Sequence, residues 1–393
     1  MNTDKVKIWN PVYTRVFCTN ALLFLGMQMV KTLVAKYADY LGATATIVGT
    51  VSSLFALTAL LFKVVSGPAI DSFSRKNILV AAISVITVSF FGFSISDSIG
   101  MLFAFRLLQG CGQAFTATCC LALAADSLPA EKFGTGIGTF TLAQAACQAI
   151  GPTVGLTLAQ HIGYKPTFAV AACCTMCGII TALTIKAAPR EARAFQISLK
   201  NIAAREAALP AVLLFFLQMT FGNINSFLVI FANNRGVMNI GLFFTVYAVA
   251  MLFAPVTIGR LADRFGITKA ILPAMCLFAV SFLIISVSGT LPMFLLAAVT
   301  AAFGYGAAQP AVQTLCMKCV PEARRGAASS TSYIGQDLGN LAGPIIAGMI
   351  AERAGYVTMW RAMVIPIAVS VVLVILFRRK IHSVEEEFQY AHK

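Results

Sequence analysis

The chain has 393 residues, of which 59% are hydrophobic and only 11% charged, with a mean hydropathy of +0.83. Soluble domains carry about 25% charged residues, so this composition excludes a fully water-facing globule and predicts a chain that faces lipid. A net charge of +14 suits nucleic acid only where it gathers into a basic patch, and here it does not.

Apolar stretches long enough to cross hydrocarbon, about 20 residues each, recur along the whole sequence. They predict transmembrane helices near 13–35, 45–66, 78–96, 99–124, 137–160, 166–186, 210–231, 241–262, 270–288, 292–316, 327–350 and 358–377. Continuous rather than alternating hydrophobicity selects helices over barrel strands. Lys5, Lys7 and Arg15 lead into the first stretch, which runs past a signal-peptide core with no small-residue cleavage site, so it reads as a retained helix. The expected fold class is an all-α integral membrane protein with twelve transmembrane helices.

With both termini inside, 21 of the 29 Lys and Arg residues fall in inner loops and tails. Lys31, Lys36, Arg106, Lys165, Arg235, Arg353 and Arg361 fall in the outer loops or outer helix halves, and Lys63 lies within the second helix. This is the positive-inside asymmetry; it makes the charge a topology signal and implies no nucleic-acid partner. The expected location is an inner (cytoplasmic) cell membrane, crossed many times, with both ends cytoplasmic. Cys111, Cys119, Cys120, Cys147, Cys173, Cys174 and Cys177 lie inside spans, where cysteine behaves as a small hydrophobe. Cys316 and Cys319 have the spacing of a metal or dithiol pair, but a tetrahedral site needs four ligands and no second pair lies nearby in sequence. No metal, cofactor or disulfide framework is expected.

An internal repeat runs at an offset of 192 residues. Gly67 and Asp71 return as Gly259 and Asp263, Pro129 as Pro321, and Gly134 as Gly326. Gly151-Pro152 returns as Gly343-Pro344, and Gly163-Tyr164 as Gly355-Tyr356. The chain therefore divides into a six-helix bundle over 1–186, a polar cytoplasmic linker over 187–208, a second six-helix bundle over 209–380, and a cytoplasmic tail over 381–393. In transporters with such repeats the solute site lies near mid-membrane between the halves.

The residues at these positions resemble the major facilitator superfamily, in its twelve-helix drug-efflux and arabinose-efflux-like proton antiporter branch. The likeness covers essentially the whole chain. Its most specific part is the second loop, where Gly67, Asp71, Arg75 and Lys76 match the family pattern while Ser72 and Ser74 depart. The second copy keeps Gly259, Asp263, Arg264 and Gly266 but has Ile267 in place of the arginine. The resemblance implies gating loops in which Asp71 meets the start of the eleventh helix and Asp263 that of the fifth. Arg106, Gln109, Gly110 and Gly112 match a fourth-helix motif that implies proton tuning or solute contact; snorkelling to the outer interface is the alternative reading. Gly151, Pro152 and Gly155, repeated as Gly343 and Pro344, resemble the antiporter signature. A proline kinks a helix, and Gly-x-x-x-Gly lets backbones approach.

Asp337 is the only acid deep within any span, which makes it, with Arg106, the proton-coupling candidate; a structural aspartate paired with a neighbour is the alternative. The family's cavity is lined chiefly by helices 1, 4, 7 and 10. That favours Gln28, Lys31, Gln109, Gln113, Asn223, Asn225, Tyr305 and Gln309, with Gln336 beside Asp337, as solute contacts. Such a lining suits a polar, neutral, zwitterionic or anionic solute better than a lipophilic dication. No ATP-binding Gly-x-x-x-x-Gly-Lys-Ser/Thr is present and the three histidines lie in loops or the tail, so neither a pump nor an enzyme is expected. The expectation is a monomeric secondary transporter exporting a small polar or amphiphilic solute by proton antiport. The alternative is a proton-coupled symporter or facilitator that imports a small organic solute, since architecture does not fix direction.

Overall fold

The structure is a computed structural model that describes residues 9–129, 132–186, 204–265, 267–321 and 324–390. Within those ranges it leaves aside the side chains of residues 67, 71, 133–134, 255–265, 267, 325–326 and 385–390. The described residues are almost entirely helical and contain no strand. In the first half α1 runs Pro11–Tyr40, α2 Ala45–Ser72, α3 Arg75–Ile95, α4 Ile99–Ser127, α5 Phe133–Ile162 and α6 Tyr164–Leu183. In the second, α7 runs Ala208–Asn234, α8 Leu242–Phe265, α9 Ile267–Val287, α10 Leu291–Lys318, α11 Arg325–Ala362 and α12 Val364–Leu376. A thirteenth helix, α13, covers Arg378–Tyr390, so the chain beyond the last apolar stretch is helical too.

The boundary between the eleventh and twelfth spans falls inside α11. Gly355 there has φ 80° and ψ 161°, a conformation that breaks the helix. Gly163, which separates α5 from α6, has φ 86° and ψ 171°. Only glycine adopts such angles without strain, and the two positions differ by 192 residues. The sequence repeat is therefore also a backbone repeat, and the twelfth span is built from Tyr356–Ala362 followed by α12.

Large apolar side chains on the outside complete the picture of a lipid-facing surface. Leu61, Ile95, Ile180, Val287 and Leu376 are all more than half exposed, an arrangement that would be costly in water.

Two compact units emerge, Met1–Tyr37 with Leu57–Ile197, and Ala38–Ala56 with Ser198–Lys393. In the first, α3 packs on α4 and α6. A methyl on Gly112 of α4 would lie 2.6 Å from the Ala82 carbonyl oxygen and 2.8 Å from Ile86 of α3. In the second, α10 packs on α8 and α9, and a methyl on Gly304 of α10 would lie 2.5 Å from the backbone nitrogen of Phe278. Gly304 and Phe278 are the repeat partners of Gly112 and Ile86, so the same close crossing is built twice. Phe231, Phe282 and Trp360 bring α7, α9 and the segment after Gly355 together by ring contacts at 5.3 to 6.1 Å.

Candidate functional site

In the first unit, the fifth helix lies directly on the first. A methyl on Gly151 would come 2.5 Å from Cβ of Gln28, and one on Gly155 2.6 Å from the Met29 carbonyl oxygen. The antiporter-like Gly151-Pro152-Thr-Val-Gly155 stretch thus forms the contact that holds Gln28 in place; Gln28 is 8% exposed. Lys31 follows one turn later on α1, and Arg106 of α4 is among the charges it feels. Arg106 itself is fully buried, and its Nη1 donates to Oε1 of Gln109 at 2.6 Å, an i to i+3 contact on α4. Lys31, Arg106, Gln109 and Gln28 are therefore drawn into one region by two helices. A guanidinium this far inside a helical bundle belongs to protein or a water-filled cavity rather than lipid. Gln113, a turn further along α4, is half-buried.

In the second unit, Tyr305 of α10 donates its hydroxyl to Oε1 of Gln218 on α7. Nε2 of Gln218 in turn donates to Oδ1 of Asn340 on α11 at 2.8 Å. One chain of hydrogen bonds thus links three helices. One turn along α10, Nε2 of Gln309 donates to Oε1 of Gln313 at 3.0 Å and to Oε1 of Gln336 on α11 at 3.4 Å. Asp337 is half-buried beside Gln336. Phe221 of α7 stacks on Tyr305 with ring centroids 4.0 Å apart and planes within 9°. Asn223 is buried and donates Nδ2 to the Met219 carbonyl, while Asn225 is half-buried. Gly343 sets the approach of α11 to α7, since a methyl there would lie 2.0 Å from the Met219 carbonyl oxygen.

Tyr305, Gln309 and Gln336 are thus brought together with Gln218 of α7 and Asn340 of α11, two amides outside the expected set of solute contacts. The signal for Gln218 was its spacing: it stands three residues before Phe221 and seven before Asn225, on one stripe of α7.

At the start of α3, Nη1 of Arg75 reaches Oδ2 of Asp126 at 2.5 Å and ties α3 to the end of α4. Lys76 donates to the Leu183 carbonyl of α6 at 2.6 Å. In the second unit Arg324, just before α11, pairs with Glu206 at 2.6 Å. The expected gating residues Gly67, Asp71, Gly259, Asp263 and Arg264 lie outside the residues whose side chains are described. Cys316 is buried in an apolar cluster with Ala204, Ala207, Val320 and Ala328, its Sγ donating to the Ala328 carbonyl at 3.3 Å.

The sequence profile of the Major Facilitator Superfamily matches residues 16–209 and, a second time, 210–389. Multidrug resistance protein 1 of Bacillus subtilis is 25% identical over 377 residues, covering 93% of this chain and 96% of its own. The multi-drug resistance efflux pump PmrA homolog of Lactococcus lactis is 25% identical, covering 96% of each. Among solved structures, the nucleoside transporter NupG superposes with a TM-score of 0.75 at 15% identity, over 94% of this chain and 98% of that one. Two profile matches that meet at the middle of the sequence, the paired glycine breaks and this fold lead to one statement: the chain is a multi-pass membrane transporter that belongs to the major facilitator superfamily.

Proposed function

We propose that the protein is a secondary transporter of the drug-efflux kind, exporting a small polar or amphiphilic solute in exchange for protons by alternating access. The observation that carries this reading is full-length similarity to proteins named as multidrug resistance and efflux proteins. Asp337 takes the coupling proton, with Arg106 tuning it. A carboxylate that deep is tolerable when it is protonated or paired, and the exchange of one condition for the other is what coupling requires. Gln28, Lys31, Gln109 and Gln113 contact solute in the first bundle; Asn223, Asn225, Tyr305, Gln309 and Gln336 do so in the second. The bundles span 1–186 and 209–380, joined by a cytoplasmic linker over 187–208 and followed by a cytoplasmic tail over 381–393. Gly67, Asp71, Arg75, Gly259, Asp263 and Arg264 form the inner gating loops. The transporter works as a monomer in the cell membrane, with both ends cytoplasmic.

The test uses purified protein in proteoliposomes of known orientation with an imposed pH gradient. Export coupled to protons requires solute to move against the proton flow and a matching alkalinisation or acidification of the lumen. Solute moving with the protons would replace this reading with the importer.

A further inference from the structure

The last span ends in an abrupt change of surface. Ile375, Leu376 and Phe377 are exposed, and three exposed cations follow them without a gap, Arg378, Arg379 and Lys380. These cations open α13, whose next residue, Ile381, is 2% exposed. The helix packs on α9, α10 and α12, and Lys380 is among the charges felt by Cys319, just past the end of α10. The cluster is therefore held in place beside the ends of α10 and α12. At about 3.6 residues per turn, Arg379 points nearly opposite Ile381, with Arg378 and Lys380 to either side. The basic side of α13 faces away from the protein.

The helix itself gains nothing from these charges. Cations in a first turn meet the positive end of the helix dipole and are unfavourable there, and that turn contains no acid. The residues three and four places further on are Ile381, His382, Ser383 and Val384, so no acid stands where it would pair with the cations along the helix surface. Among the described residues none forms an ion pair with them. The positive-inside rule explains positive charge at this point, but insertion requires neither three adjacent cations nor a packed helix to carry them. The 192-residue repeat sets Lys186, Ala187 and Ala188 opposite Arg378, Arg379 and Lys380, one cation where the second half has three. An exposed apolar run that leads into exposed cations is complementary to a lipid with an anionic headgroup. Acyl chain lies along the apolar residues, and the headgroup meets the charges. Two of the three are arginines, whose planar fork suits phosphate oxygens.

We propose that Arg378, Arg379 and Lys380, with the exposed Leu376 and Phe377, form a binding site for an anionic phospholipid that fastens α13 to the membrane surface. The site takes a lipid, not the transported solute, and stands whichever way the carrier runs.

The probe is dioleoyl phosphatidylglycerol added to detergent-purified full-length protein, with dioleoyl phosphatidylcholine as the neutral reference. Bound lipid is counted by native mass spectrometry. Phosphatidylglycerol should bind saturably and more tightly than phosphatidylcholine. Replacing all three cations by Gln should raise its Kd about a hundredfold, about fivefold for each charge. The lipid-free Tm of that variant should stay where it was, because the side chains are exposed. Arg379→Gln alone, about fivefold weaker, carries the test if the triple variant fails to express. Lys186→Gln should keep the tight binding. Four results would overturn the site: unchanged affinity in both Gln variants, no preference for phosphatidylglycerol, a lowered lipid-free Tm in the triple variant, or equal loss in Lys186→Gln. Displacement of the lipid by an equimolar amount of glycerol 3-phosphate would also overturn it, in favour of a site for soluble phosphate esters. Neither solute nor gradient enters the measurement, so its failure is distinct from a failure of antiport.

Discussion

The carboxylate of Glu352, three residues before the Gly355 break in α11, accepts the backbone N–H of Thr46 in the first turn of α2 at 3.2 Å. The first N–H groups of a helix have no partner within it, and a negative charge there also meets the positive end of the helix dipole. The contact is reinforced by close backbone approach. A methyl on Gly348 would lie 2.4 Å from the Ala45 carbonyl oxygen, and one on Gly49 2.0 Å from that of Pro344. Glu352→Ala should therefore loosen the start of α2. A cysteine at Ala45 should then react severalfold faster with a membrane-impermeant maleimide, with Glu352→Gln in between. Equal labelling rates in all three backgrounds would show that the carboxylate does not hold this end.

Substitution of the helix-crossing glycines separates packing from mere helix preference. Gly343→Ala and Gly151→Ala each force a methyl into backbone or a neighbouring Cβ, and overpacking of this kind costs about 1–3 kcal/mol. Gly138→Ala on α5 meets nothing within 4 Å and replaces glycine by a better helix former, a gain of up to about 1 kcal/mol. Thermal unfolding in detergent should rank the three accordingly, with the first two below the unsubstituted protein and the third at or above it.

The Tyr305–Gln218–Asn340 chain should behave as a coupled unit. Gln218→Ala takes a partner from the buried Tyr305 hydroxyl and from the half-buried Asn340 amide, Asn340→Ala from Gln218 alone. A double-mutant cycle on unfolding should return a coupling of about 0.6 kcal/mol, with about 1.7 as the upper end seen for polar pairs within membranes. Additivity within error would mean that the hydrogen bond does not hold α7 to α11.

Asp337→Asn should retain solute binding while abolishing the response of transport to an imposed pH gradient, because asparagine carries no exchangeable carboxyl proton. Asp337→Glu should retain part of that response. Uphill transport with unchanged pH dependence in the asparagine variant would place coupling elsewhere or make the carrier a uniporter.

How much of this was legible in the sequence follows from what kind of signal each feature leaves. Helix positions were, because apolar runs and charged punctuation mark them: the 45–66 and 292–316 stretches correspond to α2 and α10. Gly163 and Gly355 were, because a backbone requirement repeats as an identity. The Phe221–Tyr305 stack was not, since phenylalanine in an apolar helix has no distinguishing context until a neighbour is known. The Glu352–Thr46 contact was not either: it joins residues 306 apart that only folding brings together. The helix over Arg378–Tyr390 was missed because its charged sequence lacks the apolar length used to find the others.

The division of α2 between units has a bearing on how the protein can be cut. Residues Ala38–Ala56 cluster with the second unit although they precede the rest of it by more than 140 residues. A gene severed within 187–203 gives a C-terminal fragment without the stretch that seats against Gly348 and Pro344. That fragment expressed alone should be short-lived, with a small-residue groove along α11 unfilled. Supplying residues 1–186 in trans should rescue its abundance, and the rescue should fail when the supplied piece carries a bulky residue at Gly49.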